Sequence, residues 1–321
     1  MWFEQLMGFA EESPDQVRKN IQVDGEFLVS RVNGRRVRWG RLAMPSLAEL
    51  RAACPDLPQD RASLDEIVGN VQKLHEDPEN AGALFQAASQ FNLLEMTGPH
   101  MTPEQGVAIY TYDGTQGPAC AIACGGGTIY RNYFVPLDGH VGQTADRQVD
   151  CLKDLGEALG GPGLWTMKNG YALPTTEGLE RVNARLAATN DDERDKLRGL
   201  LRIGVQHDVE VLGTDHLVTQ VYGAALPVTY GEPPLPLWEP LARLILEASY
   251  EATLLVAHAQ GINTLFLTRL GGGVFGNEER WIDDALLYAL HRAGGGLTIH
   301  LVSFGQPSLK VAAFLDRYAA S

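Results

Sequence analysis

The sequence predicts a three-layer α/β/α sandwich with a mixed, mostly parallel central sheet. Three observations carry that expectation. Strand-like and helix-like stretches alternate through the C-terminal half, residues 265–270 are almost continuously apolar, and a glycine-rich turn joins that run directly to an amphipathic helix. A strand covered on both faces has to be apolar throughout, and alternating strands and helices build layers.

Taken in order, residues 200–206 and 216–222 read as strands, the second followed by a proline-rich loop through Pro236. Residues 238–259 read as a long helix: Pro240 falls in its first turn, Glu239 and Arg243 are spaced as an i,i+4 pair, and Gly261 closes it. Residues 265–270 follow as a strand. Residues 278–292 follow as a helix that buries Ile282, Leu286 and Ala289 and ends at Gly294, and 297–305 as the last strand. Upstream, 117–124 reads as a small-residue strand leading into Gly125-Gly126-Gly127. The mixed charges of 185–199 suggest an exposed helix-turn-helix connection. A helical pattern runs from 64 to 91 through Asp77-Pro78. Residues 1–80 are more polar and read as an extension packing on a domain of residues 81–321. Within them, 31–39 reads as two short strands around Asn33-Gly34, with its arginines on a solvated face or against a partner.

Composition narrows the function classes. The chain has 321 residues, 45% hydrophobic and 21% charged, enough for one large domain. A formal net charge of −14 argues against a nucleic-acid partner, which needs clustered Lys and Arg. No 18-residue apolar run marks a membrane span, and the start lacks a basic and apolar leader, so a cytoplasmic location is expected. Cys54, Cys120, Cys124 and Cys151 include no metal-binding spacing and read as reduced, buried thiols; neither metal nor cofactor is called for. His207 and His216, though near a strand end, are not expected to be catalytic.

The most informative stretch is Gly271-Gly272-Gly273-Val274-Phe275-Gly276-Asn277, between strand and helix. Glycines let backbone approach a ligand, and the free N–H groups of a helix start favour an anion. A diphosphate is the natural occupant. The stretch also matches the G-x-G-x-x-G dinucleotide pattern, but the next strand carries no acid and only a short tail follows, so a Rossmann domain has no room. A purely structural turn is the remaining alternative.

On these motifs the chain resembles the macrodomain family. The resemblance rests on residues 267–277 with the following helix and strand, on Phe85 to Asn92 and Glu95, and on Gly125 to Tyr133 with the 238–244 segment. It implies two glycine loops clamping ADP-ribose, and it is most similar to a divergent branch that removes ADP-ribose from arginine. Insertions of some 30 residues after Asn92 and about 70 after the first glycine loop depart from that pattern.

Cleavage of an N-glycosidic bond to ribose needs a carboxylate near an oxocarbenium-like transition state. Asp113, in the turn 110–116, and Glu95 are the candidate acids, with Asn92 contacting ribose hydroxyls; an Asx turn is the plain alternative for Asp113. Asp208 could receive a guanidinium, and Gln90, Thr115, Thr128, Tyr130 and Phe275 complete the expected ligand set with the two loops. Glu247 and Glu251, one turn apart, read as a solvated helix face. The expected function is hydrolysis of ADP-ribose from modified protein side chains, arginine foremost. Its partners are ADP-ribose and ADP-ribosylated protein. A binding-only reader and a phosphoesterase acting on a related nucleotide are the alternatives.

Overall fold

Phe85 and Gln86 are neighbours on one strand and face opposite layers, as side chains on a strand must. Phe85 stacks on His75 at 3.7 Å, whereas Gln86 Nε2 donates to Thr253 Oγ1 at 2.9 Å on the far side. Helices therefore cover both faces of the sheet. The computed structural model describes all residues from Met1 to Ser321.

The central sheet has seven strands: β1 (Arg41–Ala43), β2 (Ser63–Val68), β3 (Leu84–Ser89), β4 (Gly204–Glu210), β5 (Leu217–Ala224), β6 (Thr264–Leu267) and β7 (Thr298–Ser303). Their order across the sheet is β1-β4-β5-β3-β6-β7-β2. Five neighbours, from β5 to β2, run parallel, and β4 and β1 add antiparallel pairings at one edge. On one face lie α1 (Val71–Glu76), α2 (Gln116–Ala123) and α3 (Gly125–Tyr133); on the other lie α4 (Leu235–Gln260) and α5 (Glu279–Ala293). This is the three-layer sandwich expected from the sequence. No helix is long and apolar enough to cross a membrane.

Several expectations change. The helical pattern over 64–91 is instead strand, helix, strand. Asn70 caps α1 by accepting from Gln72 N–H, and Asp77-Pro78 starts a separate short turn before β3. Both outer strands of the sheet, β1 and β2, come from the first 80 residues, so the boundary at 80 cuts through the main fold. Only the first 38 or so stand apart, as helices Trp2–Met7 and Pro14–Asn20 and a three-stranded sheet. That sheet contains the expected hairpin, shifted to Phe27–Ser30 and Arg36–Arg38. Its basic face is exposed as expected at Arg31, Arg35 and Arg36, with Arg36 3.3 Å over Phe27, and the partly buried Arg38 pairs with Glu26 at 2.6 Å. Glu247 and Glu251 are buried, not solvated, and pair with Arg198 and Arg51, each at 2.7 Å. The helix pair within 185–199 is present, with Asn190 closing a capping box on Asp191–Gly199. All four cysteines are free thiols.

A second apolar core sits under the N-terminal unit. Trp2, Phe3, Met7 and Leu28 pack there against Leu94, Met96 and Tyr110, which flank the candidate acid Glu95. Glu11 fastens this contact: its carboxylate accepts from Ala108 N–H at 2.6 Å and from the Tyr133 hydroxyl at 2.7 Å.

Candidate functional site

The C-terminal ends of β3, β5 and β6 meet at one cleft of about 240 Å³, the position where parallel α/β sheets hold ligands. One wall is the turn after β6. Gly271 and Gly276 adopt φ of 72° and 70°, and a Cβ on Gly271 would fall 2.5 Å from Asn277 Nδ2. Asn277 is a brace, donating from Nδ2 to Leu226 O at 2.8 Å and from its backbone to Gly271 O at 2.9 Å. The carbonyls of Val274 and Phe275 are taken by the hydroxyl and the N–H of Thr229. The N–H groups of Gly273, Val274 and Phe275 donate to nothing in the protein. Gly271, Gly273, Val274 and Phe275 line the cleft, and Gly272 packs instead against Ile282. Backbone donors with their carbonyls tied elsewhere form an anion cradle.

A further wall is the start of α2. Gln116 and Gly117 have N–H groups without acceptors, as the first turn of a helix must. Gly117 is required by contact, since a Cβ there would lie 2.1 Å from Ala88 O. Gln116 spends its side chain on β3, accepting from Ala88 N–H at 2.9 Å and donating to Gln86 O at 2.7 Å. Just before the helix, Asp113 Oδ1 accepts from Thr115 N–H at 2.8 Å and from its hydroxyl at 2.6 Å. Asp113 lines the cleft, and its Oδ2 accepts no hydrogen bond from the protein. Tyr171, Tyr230 and Phe275 form an aromatic cluster beside it, with ring centroids 5.2 to 6.0 Å apart.

The floor holds Ser89, Gln90 and Glu95. Glu95 is buried, accepts from the Ser89 hydroxyl, and faces Arg131 Nη2 at 3.2 Å. Arg131 is itself fixed by Leu93 O at 2.8 Å and by the Tyr222 hydroxyl. Burial pushes the Glu95 carboxyl above the usual carboxylate range, with Arg131 pulling the other way. Gln90 is consumed in clamping the 90–96 turn, accepting from Met96 N–H at 2.9 Å and donating to Met96 O at 3.1 Å.

Five expected ligand residues and two expected acid or amide contacts lie elsewhere. Residues 117–124 are helix, and Gly125, Gly126 and Gly127 open α3 beneath the N-terminal unit. A Cβ would meet Trp2 at 2.6 Å, Arg38 O at 3.1 Å and Gln206 at 3.1 Å respectively, so these glycines serve close packing, not a phosphate. Thr128 donates to Ala121 O at 2.6 Å, and Tyr130 stacks on Trp39 at 3.4 Å. Asn92 is buried, accepting from Leu94 N–H and donating to Gln148. Asp208, with φ of 53°, sits on a β4 bulge beside Arg41, outside the cleft. Gly276 and Asn277 shape the turn without lining the cleft. His216 bonds His75 O at 2.7 Å, away from the cleft. Sequence reasoning missed Ser89, Arg131, Tyr171, Tyr230 and Arg269. A lone arginine in the otherwise small and uncharged segment 117–130 and its continuation was a legible signal for Arg131. The two tyrosines arrive from distant loops and had none. No cluster of three or more His, Cys, Asp or Glu is placed to hold a metal.

No family model and no curated protein matches the chain. Among solved structures, the fold is similar to poly(ADP-ribose) glycohydrolase from Deinococcus radiodurans in complex with ADP-ribose, at 13% identity and a TM-score of 0.46, covering 87% of this chain and 94% of that one. It is similar to poly(ADP-ribose) glycohydrolase from Thermomonospora curvata bound to the inhibitor ADP-HPD, at 13% identity and a TM-score of 0.45, covering 94% and 95%. A mutant macrodomain from Oceanobacillus iheyensis matches at 12% identity and a TM-score of 0.39, covering 80% and 90%. Likenesses of this size leave the chemistry to be argued from the cleft itself.

Proposed function

We propose that the cleft binds ADP-ribose and that the protein is a hydrolase removing ADP-ribose from modified protein side chains, arginine foremost. The observation that carries the reading is the set of unpaired N–H groups at Gly273–Phe275 and at Gln116–Gly117, which line one cleft with Asp113. Backbone dipoles of this kind hold a diphosphate even in a protein of net charge −14. The aromatic cluster supplies a face for adenine or ribose.

Of the two candidate acids, Asp113 is the one free to meet substrate. Glu95 has both oxygens directed at Ser89 and Arg131, and its place is to support the floor. Asp113 Oδ2 would accept a proton from water as that water adds to the anomeric carbon and the C–N bond breaks; the cationic guanidinium keeps the bond's electron pair, departs as neutral guanidine and then takes up the proton held by Asp113.

Calorimetry with ADP-ribose, paired with release of ADP-ribose from an arginine-modified protein, tests the proposal. Binding near the micromolar range, about −8 kcal/mol, together with release supports it. Binding without release makes the protein a reader, release of a different nucleotide product makes it a phosphoesterase, and absence of binding removes the proposal.

A further inference from the structure

The central sheet ends at β2. That strand bonds β7 through its odd-numbered residues. Ser63 N–H donates to Leu297 O at 2.8 Å, Gly69 N–H donates to Ser303 O at 2.9 Å, and the register between them is unbroken. Backbone direction alternates along a strand, so the N–H and C=O groups of Leu64, Glu66 and Val68 point away from β7. The C-terminal helix, Leu309–Ala319, is fastened along the strand by Ser308 N–H on Glu66 Oε1 at 2.7 Å and by the Tyr318 hydroxyl on Ala62 O at 3.3 Å. Ser63, Asp65 and Val68 nevertheless stay exposed. Because β3, β6, β7 and β2 are parallel, β2 ends on the same rim as the cleft. Large apolar side chains are open to solvent there: Val68 is 41% exposed, Phe304 76% and Leu309 90%. The rim is continuous with the cleft wall. Arg269, which lines the cleft, donates to Glu279 at 2.6 Å, and Glu279 in turn holds Lys310, the neighbour of Leu309.

We propose that the free edge of β2, with Val68, Phe304 and Leu309, docks an extended basic segment of the modified protein by strand addition. The inference rests on the hydrolase reading of the cleft and adds a hold on the polypeptide that carries the ADP-ribose. Charge selects the occupant. Two copies of β2 paired antiparallel about either acid would set Asp65 against Asp65 or Glu66 against Glu66, and like charges directly opposite are destabilising. Each copy also carries a net charge of −14. A six-residue strand and three apolar side chains fall well short of the roughly 20–30 residues a side that a stable dimer buries. Lysine or arginine opposite Asp65 and Glu66 is complementary instead. Strands lie about 4.8 Å apart, so a segment added beyond β2 runs roughly 14 Å from β6. At about 3.3 Å per extended residue, the docked segment and the modified arginine are then about four residues or more apart.

The test measures release kinetics for wild type, Val68→Pro and the double variant Phe304→Ser, Leu309→Ser. The substrates are a peptide of alternating lysine and valine flanking one ADP-ribosylated arginine, the same peptide with glutamate for lysine, and ADP-ribosylated free arginine. Proline at Val68 removes an outward N–H and leaves the bonds to β7 intact. Both variants should raise KM for the lysine–valine peptide at least about 10-fold with kcat unchanged, the mark of lost uniform binding. Both should treat free ADP-ribosylated arginine as wild type does, and wild type should favour the lysine peptide over the glutamate one. Should Val68→Pro fail to fold, the double variant, placed at exposed positions, carries the test alone. Wild-type KM in the folded variants overturns the docking edge and leaves the hydrolase reading standing. If wild type releases ADP-ribose from none of the substrates, that reading fails, and fluorescence anisotropy of the unmodified lysine–valine peptide decides the edge by itself. Binding that the variants lose supports the edge, and equal or absent binding overturns it. A dimer in sedimentation that Val68→Pro abolishes would assign the edge to a second copy and overturn the proposal.

Discussion

The Arg131 guanidinium meets the Glu95 carboxylate at 3.2 Å, and neither side chain has any solvent exposure. This pair joins the floor of the cleft to α3, because Glu95 N–H also donates to the Tyr110 hydroxyl at 3.0 Å and Arg131 lies 3.7 Å over the Tyr222 ring. Removing one partner of a buried pair leaves an uncompensated charge. Arg131→Met should therefore lower stability by about 3–5 kcal/mol, read from urea unfolding. Arg131→Met together with Glu95→Gln should recover part of that loss. A single variant within about 1 kcal/mol of wild type would show that the pair is not coupled as the geometry implies.

Gly273 is the position at which to test the cradle. A Cβ there meets nothing within 4 Å, and the residue lines the cleft. Gly273→Glu should fold normally and weaken ADP-ribose by about 100-fold or more, roughly 2.7 kcal/mol, through like-charge repulsion and bulk. Gly272→Glu is a poor probe, since a Cβ at that position sits 2.9 Å from Ile282 and would disturb α5 packing. Unchanged calorimetry for Gly273→Glu would place the anion elsewhere.

The part of the site that sequence made legible is the part encoded by contiguous residues. Gly271–Asn277 and the Asp113–Thr115 turn carry their geometry locally, in positive φ and in an Asx turn, and both were readable. The second glycine loop misled because three glycines look alike whether they approach a phosphate or a neighbouring chain. Only the presence of Trp2, Arg38 and Gln206 over Gly125–Gly127 decides between the two. Sheet edges failed for a related reason. Strand β1 has three residues and β2 is half-buried, so neither carries the apolar run that betrays a central strand such as β6. Arg131 and Glu95, 36 residues apart, meet only in the folded chain.

Glu11 links the N-terminal unit to the wall of the cleft that carries Asp113. It is fully engaged with Ala108 N–H and the Tyr133 hydroxyl, and the segment it holds, Ala108–Tyr112, leads straight into Asp113. Glu11→Ala leaves two donors without their acceptor and should cost about 1–3 kcal/mol. Amide exchange at residues 108–113 should rise more than in β3 or β6, as expected for local opening. Exchange unchanged at 108–113 would mean that the extension does not steady this wall.

His75 makes stability fall in mild acid. Its Nδ1 bonds Val71 O at 2.7 Å and its Nε2 faces the Gln220 amide nitrogen at 2.9 Å. That amide is oriented by Cys120 O, to which it donates, and by the Tyr222 hydroxyl, from which its oxygen accepts. Nε2 must then be an acceptor, and a proton there would oppose an N–H. Burial lowers the His75 pKa from 6.5 to about 4. The folded value lies below the unfolded one, so the native state favours neutral imidazole. Its contribution is intact above about pH 6.5 and is lost as pH falls toward 4. Between pH 7 and 4.5 the loss from this residue should be about 2–3 kcal/mol. Urea unfolding of His75→Asn should show a shallower acid slope than wild type; equal slopes would sink the assignment.

Asp113 carries the catalytic proposal and yields its sharpest kinetic prediction. With Oδ1 committed to Thr115 and Oδ2 open to the cleft, its carboxylate is oriented before substrate arrives. Asparagine keeps the acceptor for Thr115, so the turn should survive in Asp113→Asn. What is lost is the negative charge that stabilises an oxocarbenium-like centre and the base that takes a proton from water. Release from arginine-modified protein should fall about 100-fold or more while ADP-ribose affinity stays within a few fold, the pattern of an interaction made chiefly in the transition state. The same carboxylate, with no cation but the already paired Arg269 lining the cleft, favours a substrate whose modified side chain is cationic. Wild type should therefore release from arginine at least about 10-fold faster than from glutamate- or serine-modified protein, roughly 1.4 kcal/mol of differential transition-state binding. Single-turnover release on the three linkages decides the point. An ester preference would exclude guanidinium recognition, and wild-type rates in Asp113→Asn would transfer the chemistry from this residue to another.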